Sequence, residues 1–180
     1  ASSAEAGAAG CFEDAVATGA MALTIDEAVA GGGCSTSVVR PLSEQRIGEI
    51  QCLAPGAMGR IDDIPGLSLG AAASPWLQAP AASALRDAVV AGGGGLSVNS
   101  TLRSLPQQLM LYRWYLAGSC GITLAARPGT SPHESGLALD TSDYSAWQAR
   151  LEAHAWSRHG AGDLPHFDNV GGGTMELAGL

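Results

Sequence analysis

The sequence predicts an α+β fold, and three observations predict it. Helical periodicity dominates the first two thirds of the chain. Short runs of strand character gather between residues 96 and 170. Long connections rich in glycine and proline separate them, with 25 glycines in 180 residues. Helices that come early and strands that come late, not strictly alternating, favour α+β over a doubly wound sheet. The expected architecture is a small central antiparallel sheet flanked by helices. At 46% hydrophobic residues the chain has the material for a packed core.

The elements follow in order. Thr24 is an N-cap and Glu27, three residues on, completes a capping box for a helix over 25–30, which Gly31-Gly32-Gly33 ends. Pro41-Leu42-Ser43 opens a second helix with Ser43 as N-cap, Ile47, Ile50 and Leu53 on one face, and Pro55-Gly56 as its stop. A short strand falls near 58–61, and 74–78 reads as an apolar loop. Pro80 stands at the start of a third helix, where its missing N–H costs nothing, and Leu85, Ala88 and Val89 form its buried face. Leu96 to Ser100 alternates with period two, as a strand does. After a turn at 101–104, a helix over 106–117 carries Leu109, Tyr112, Arg113 and Leu116, with Gly118 as its cap. Residues 136–140 read as a strand, 144–155 as a helix with Trp147 and Leu151, and the run from His166 to Val170 as a last strand. Residues 1–41 form an N-terminal extension, 42–173 the main domain, and 174–180 a flexible tail.

Composition narrows the partners. Net charge is −8 and all nine cations are arginines, too few and too scattered to neutralise a nucleic acid or an anionic membrane. No segment nears the roughly 20 apolar residues of a membrane span. A monomer acting on a neutral or zwitterionic small target is expected. The small, featureless start is compatible with a removed signal peptide. Cys11, Cys34, Cys52 and Cys120 contain no CxxC pair, so a four-thiolate zinc site is excluded in favour of two disulfides and an oxidising compartment. Three pairings are open; Cys11–Cys34 with Cys52–Cys120 is the favoured one. Four free thiols would instead suit an intracellular protein.

The chemistry centres on Ser131-Pro132-His133-Glu134-Ser135-Gly136-Leu137-Ala138-Leu139-Asp140. Imidazole and carboxylate are both zinc ligands, and a catalytic site needs three protein ligands, an open position and a base. His166, on a loop next to a strand, supplies the third ligand, and Asp163 stands three residues before it. One zinc ion on His133, Asp140 and His166, with Asp163 as general base, is the candidate centre; such an ion lowers the pKa of its water to about 7. Arg103 is the candidate for holding a substrate carbonyl or an oxyanion. Ser131 and Trp156 are candidate substrate contacts. Glu134 reads as a solvated loop acid, Asp168 as an outward salt partner, and His154 and His159 as surface residues.

The Ser-x-His-x-x-Gly-x-Ala-x-Asp pattern, filled from Ser131 to Asp140, resembles the zinc D-Ala-D-Ala peptidases of the LAS group. These share a fold with lysostaphin-type peptidases and the Hedgehog signalling domain. The family's second block, an acid, two residues and a histidine, is matched by Asp163-Leu164-Pro165-His166. The following Phe167 makes this block more similar to the L-alanyl–D-glutamate endopeptidases of phage endolysins. Ser100, Arg103, Ser104 and Gln107 or Gln108 match the segment that carries the family's substrate arginine, with Leu102 where an aromatic is common. The resemblance covers about residues 80–172. It implies a secreted or periplasmic bacterial zinc metallopeptidase acting on peptidoglycan stem peptides or D-amino-acid peptides. A D-Ala-D-Ala carboxypeptidase or endopeptidase comes first, then an L-Ala–D-Glu endopeptidase, then a non-catalytic zinc-containing binding module.

Overall fold

The computed structural model describes residues 24–31 and 33–173. The expectations for Cys11 and for the tail at 174–180 lie outside those residues. The fold is α+β, with short strands between helices. The chain divides into two compact units that interleave in sequence, one of residues 1–57 and 104–130, the other of residues 58–103 and 131–180.

The first unit is helical among its described residues. Helix α1 (Ile25–Ala30) carries the full Thr24–Glu27 capping box and ends at Gly31. A 3-10 turn (Thr36–Val39) runs into helix α2 (Arg40–Leu53). Ser43 is therefore not an N-cap. It sits inside the first turn and bonds backwards, its hydroxyl 3.3 Å from the Val39 carbonyl and 2.8 Å from the Ser104 hydroxyl. Ile47 and Ile50 are buried, but Leu53 at the helix end is half exposed. A later helix of this unit, Leu105–Leu116, is capped by Ser104 and Gln107 in a second capping box. It buries Met110 and Trp114, while Leu116 is exposed. The mixed polar and apolar sequence there marks no single stripe, so burial is decided by what the helix packs against: Ala28, Val39, Met110 and Trp114 form one cluster.

A disulfide joins Cys34 to Cys120 across 86 residues. This corrects the favoured pairings, since Cys34 is taken by Cys120; Cys52 is also disulfide-bonded. Sequence spacing says nothing of which thiols a fold brings within the roughly 5–6 Å between Cα atoms that a bridge needs.

The second unit holds the strands: β1 (Met58–Arg60), β2 (Leu67–Leu69), β3 (Trp76–Gln78), β4 (Leu96–Val98), β5 (Ala138–Asp140), β6 (Trp156–Arg158) and β7 (His166–Asn169). They form three small ladders, not one central sheet. β1 pairs antiparallel with β3, β2 pairs parallel with β4, and β7 lies antiparallel between β5 and β6. The five-residue alternation of Leu96 to Ser100 marks β4, but no comparable run marks β2, β3 or β6. The helix of residues Ala79–Ala91 buries Leu85, Ala88 and Val89 as expected, and that of Tyr144–Glu152 buries Trp147 and Leu151. These join Leu77, Leu96, Val98, Leu137, Leu139, Trp156 and Phe167 in one core.

Two local constraints set the approach to β5. A 3-10 turn (Pro132–Ser135) ends at Gly136, whose φ is +68°. A Cβ there would lie 3.0 Å from the Gln78 backbone nitrogen, which itself donates to the Gly136 carbonyl at 2.9 Å. Gly136 is thus required by a left-handed turn and a close backbone approach. Gln78 is buried and its amide also donates to the Ser135 carbonyl at 2.7 Å.

Replacing Cys34 and Cys120 by serine is expected to cost about 2–5 kcal/mol of stability, since long closed loops gain most from a cross-link; denaturant titration measures it. Gly136→Ala is expected to cost about 1–3 kcal/mol through backbone strain, read as a lowered midpoint in the same titration.

Candidate metal centre

Three segments of the second unit meet at the candidate centre, held by main-chain bonds. The Asp140 N–H donates to the Ser100 carbonyl at 2.9 Å, and the Asn99 N–H to the Asp140 carbonyl at 2.7 Å. The Arg103 N–H donates to the His133 carbonyl at 3.0 Å, and the Thr141 N–H to the Pro165 carbonyl at 2.9 Å. On the strands, Asp140 stands directly opposite His166, and Leu139 opposite Phe167. Side chains alternate across a strand. Leu139 and Phe167 therefore turn into the core, and Asp140 and His166 share the other face.

Three atoms converge there. His133 Nε2 is 3.2 Å from Asp140 Oδ1 and 3.2 Å from His166 Nδ1, and His166 Nδ1 is 3.0 Å from the same Asp140 oxygen. His133 and His166 are buried, and Asp140 is mostly so. The far nitrogen of His133, Nδ1, is 2.7 Å from the Thr101 carbonyl. A carbonyl only accepts, so Nδ1 carries the proton and the Nε2 lone pair faces inward. The far nitrogen of His166, Nε2, is 2.9 Å from Asp168 Oδ1.

The arrangement fits a bound metal ion. An ion with nitrogen and oxygen ligands at about 2.0–2.1 Å in tetrahedral geometry has ligand–ligand edges of about 3.3 Å. The three separations of 3.0–3.2 Å come close to those edges. Converging lone pairs repel unless a cation lies among them, and two imidazoles with one carboxylate leave a fourth position open.

The electrostatics agree with that crowding. Burial alone would raise the Asp140 carboxyl, but the neighbouring His133, His166 and Arg103 hold it far below the usual carboxylate range. Burial pushes His133 down, the Arg103 charge adds to this, and Asp140 opposes both. For His166, burial is outweighed by hydrogen bonds to Asp140 and Asp168, and the imidazole is pushed up to about 9.

Arg103 lies against this cluster. Its Nη2 is 2.6 Å from Asp140 Oδ2 and its Nε 2.9 Å from the Ser100 hydroxyl. Arg103 thus occupies one carboxylate oxygen of Asp140 and leaves the other to the two histidines. Burial lowers the Arg103 pKa, opposed by the charges of Asp140, Asp163 and Glu134. Asp163 is joined to the centre through its turn, where the His166 N–H meets the Asp163 carbonyl at 3.3 Å.

Several expectations change. Trp156 is 1% exposed and packed in the core, so it has no face to offer a substrate. Ser131 is buried too; its N–H donates to the Glu134 carboxylate at 3.0 Å, closing the turn that carries His133. Glu134 is accordingly a buried acid and not a solvated one. Asp168 faces His166 and His159. The signal for it was in the sequence: two residues beyond His166 on a strand is the same face. Thr101 acts through its main chain, which no residue type announces.

Residues 77–164 match a family model. That family is VanY, D-alanyl-D-alanine carboxypeptidase. The matched segment contains Arg103, His133, Asp140 and Asp163, and the match bears out the resemblance read from the motifs. A comparison with curated proteins finds no match.

Equilibrium dialysis against Zn2+ is expected to show one ion per chain for the native protein. His133→Ala and His166→Ala should each reduce this to background while the ion-free proteins keep a cooperative thermal transition.

Proposed function

We propose that the chain is a zinc-dependent peptidase that hydrolyses peptidoglycan stem peptides at the D-Ala–D-Ala bond. The observation that carries this reading is the convergence of His133 Nε2, Asp140 Oδ1 and His166 Nδ1, the first two of which lie in the segment 77–164 that is similar to D-alanyl-D-alanine carboxypeptidases. Two imidazoles and one carboxylate with an open fourth position suit zinc and a hydrolytic site. When bound, zinc would polarise the scissile carbonyl and acidify a water molecule.

The remaining work falls to the chain's own groups. Asp163 takes a proton from the attacking water and passes it to the leaving amine. Arg103, fixed by Asp140 and Ser100, stands beside the reacting carbonyl and offers hydrogen bonds to the oxygen that gains charge. The absence of lysine, and arginines scattered over the chain, suits a small peptide substrate better than a polyanion. Work on peptidoglycan places the protein outside the cytoplasm, and the Cys34–Cys120 disulfide agrees with an oxidising compartment. No helix among the described residues is long and apolar enough to cross a membrane.

A second reading, cleavage between L-Ala and D-Glu, is favoured by one feature. The acid before His166 is an aspartate, and Pro165 and Phe167 flank the histidine, as in the endolysin branch.

Mass analysis of muropeptides digested by the zinc-loaded protein separates the two. Loss of a terminal D-Ala is expected; release of the stem after L-Ala would shift the assignment to the second bond, and no cleavage would sink both. Asp163→Ala is expected to lower kcat by about 10²–10⁴ with zinc still bound.

A further inference from the structure

We propose that Asp168 is a positioning residue for the metal centre: it accepts the Nε2–H of His166 and so holds that imidazole in the tautomer whose Nδ1 lone pair faces His133 and Asp140. The inference rests on the metal reading above and concerns how the third ligand is kept competent.

A neutral imidazole carries its proton on one nitrogen, and the protonated nitrogen cannot ligate. The two histidines use different devices against this. His133 bonds outward to a main-chain carbonyl at 2.7 Å. His166 bonds outward to the Asp168 carboxylate at 2.9 Å. The latter is two residues further along the same strand, so strand alternation places both side chains on one face. A carboxylate partner also makes the ring a stronger donor to a metal than a carbonyl partner does.

The neighbours leave Asp168 to this task. In register it lies between Ala138 on β5 and Ser157 on β6, neither of them charged. Its other oxygen, Oδ2, is 3.5 Å from His159 Nδ1. The His159 N–H in turn donates to the His166 carbonyl at 3.0 Å, and its ring meets the His166 ring edge-on at 5.4 Å. His159 thus buttresses Asp168 from the solvent side. The same three side chains also form a donor cluster within 4.8 Å, so a second ion is the competing account of Asp168.

The test uses the full chain with Co2+ and Zn2+. Chelator competition gives affinity and stoichiometry, and the visible Co2+ bands report ligand geometry. One ion per chain is expected. Asp168→Ala should weaken binding about 10–100-fold and shift the Co2+ bands. Asp168→Asn, whose amide oxygen still accepts the Nε2–H, should fall between the two. Thermal unfolding of the ion-free variants checks the fold, and Asp168→Asn carries the test if Asp168→Ala does not fold. Native affinity and native Co2+ bands in Asp168→Ala, or in Asp168→Asn if that variant alone folds, would overturn the inference and leave the centre standing. Two ions per chain, the second lost in His159→Ala, would make Asp168 a ligand and overturn it as well. A native chain that binds no ion would overturn the centre itself.

Discussion

The pairing of Asp140 with His166 across two antiparallel strands is the constraint on which the site depends. It comes from a hydrophobic decision one residue away. Leu139 and Phe167, directly opposed, are both fully buried in the core. Burying those two side chains stabilises the fold by several kcal/mol on an area basis. A slip of one residue would turn them to the other face and bring Asp140 and His166 inward. The register is therefore held by apolar burial, and the polar side chains inherit their positions from it.

A set of main-chain bonds then brings the other pieces to that pair. The segment 99–103 bonds to Asp140 on one side and to His133 on the other. It delivers the Thr101 carbonyl to His133 and the guanidinium of Arg103 to Asp140. The turn carrying His133 is closed by Ser131 with Glu134 and released into β5 by the left-handed Gly136. Groups buried in this way need partners, and here almost every polar atom of the centre has one. Desolvation opposes charge on both His133 and Asp140, yet the Asp140 carboxyl is held far below the usual carboxylate range by the groups around it. That is the electrostatic condition of a cation site.

Legibility in the sequence followed the length of the signal. Helix starts with paired capping residues, such as Thr24 with Glu27, were readable because the motif is local and chemical. Helices with a proline near the first turn and glycines past the end were readable for the same reason. The strands β2, β3 and β6 were not, nor was the parallel pairing of Leu67–Leu69 with Leu96–Val98, since nothing in either run names its partner. Asp168 stood within reach of period-two reasoning and was passed over as a surface charge. Trp156, a candidate substrate contact from sequence, is claimed by the core.

Sequence alone determined the candidate ligand types, their order along the chain and the α+β class. These rest on residue chemistry and on motifs spanning about ten residues, which survive without knowledge of distant contacts. Tertiary structure decided the rest: that Asp140 and His166 oppose each other, that Arg103 takes one oxygen of Asp140, that Asp168 backs His166, and that Cys34 meets Cys120. Each of these joins groups whose proximity depends on which apolar faces are buried together. That choice belongs to the whole core, and no stretch of sequence states it.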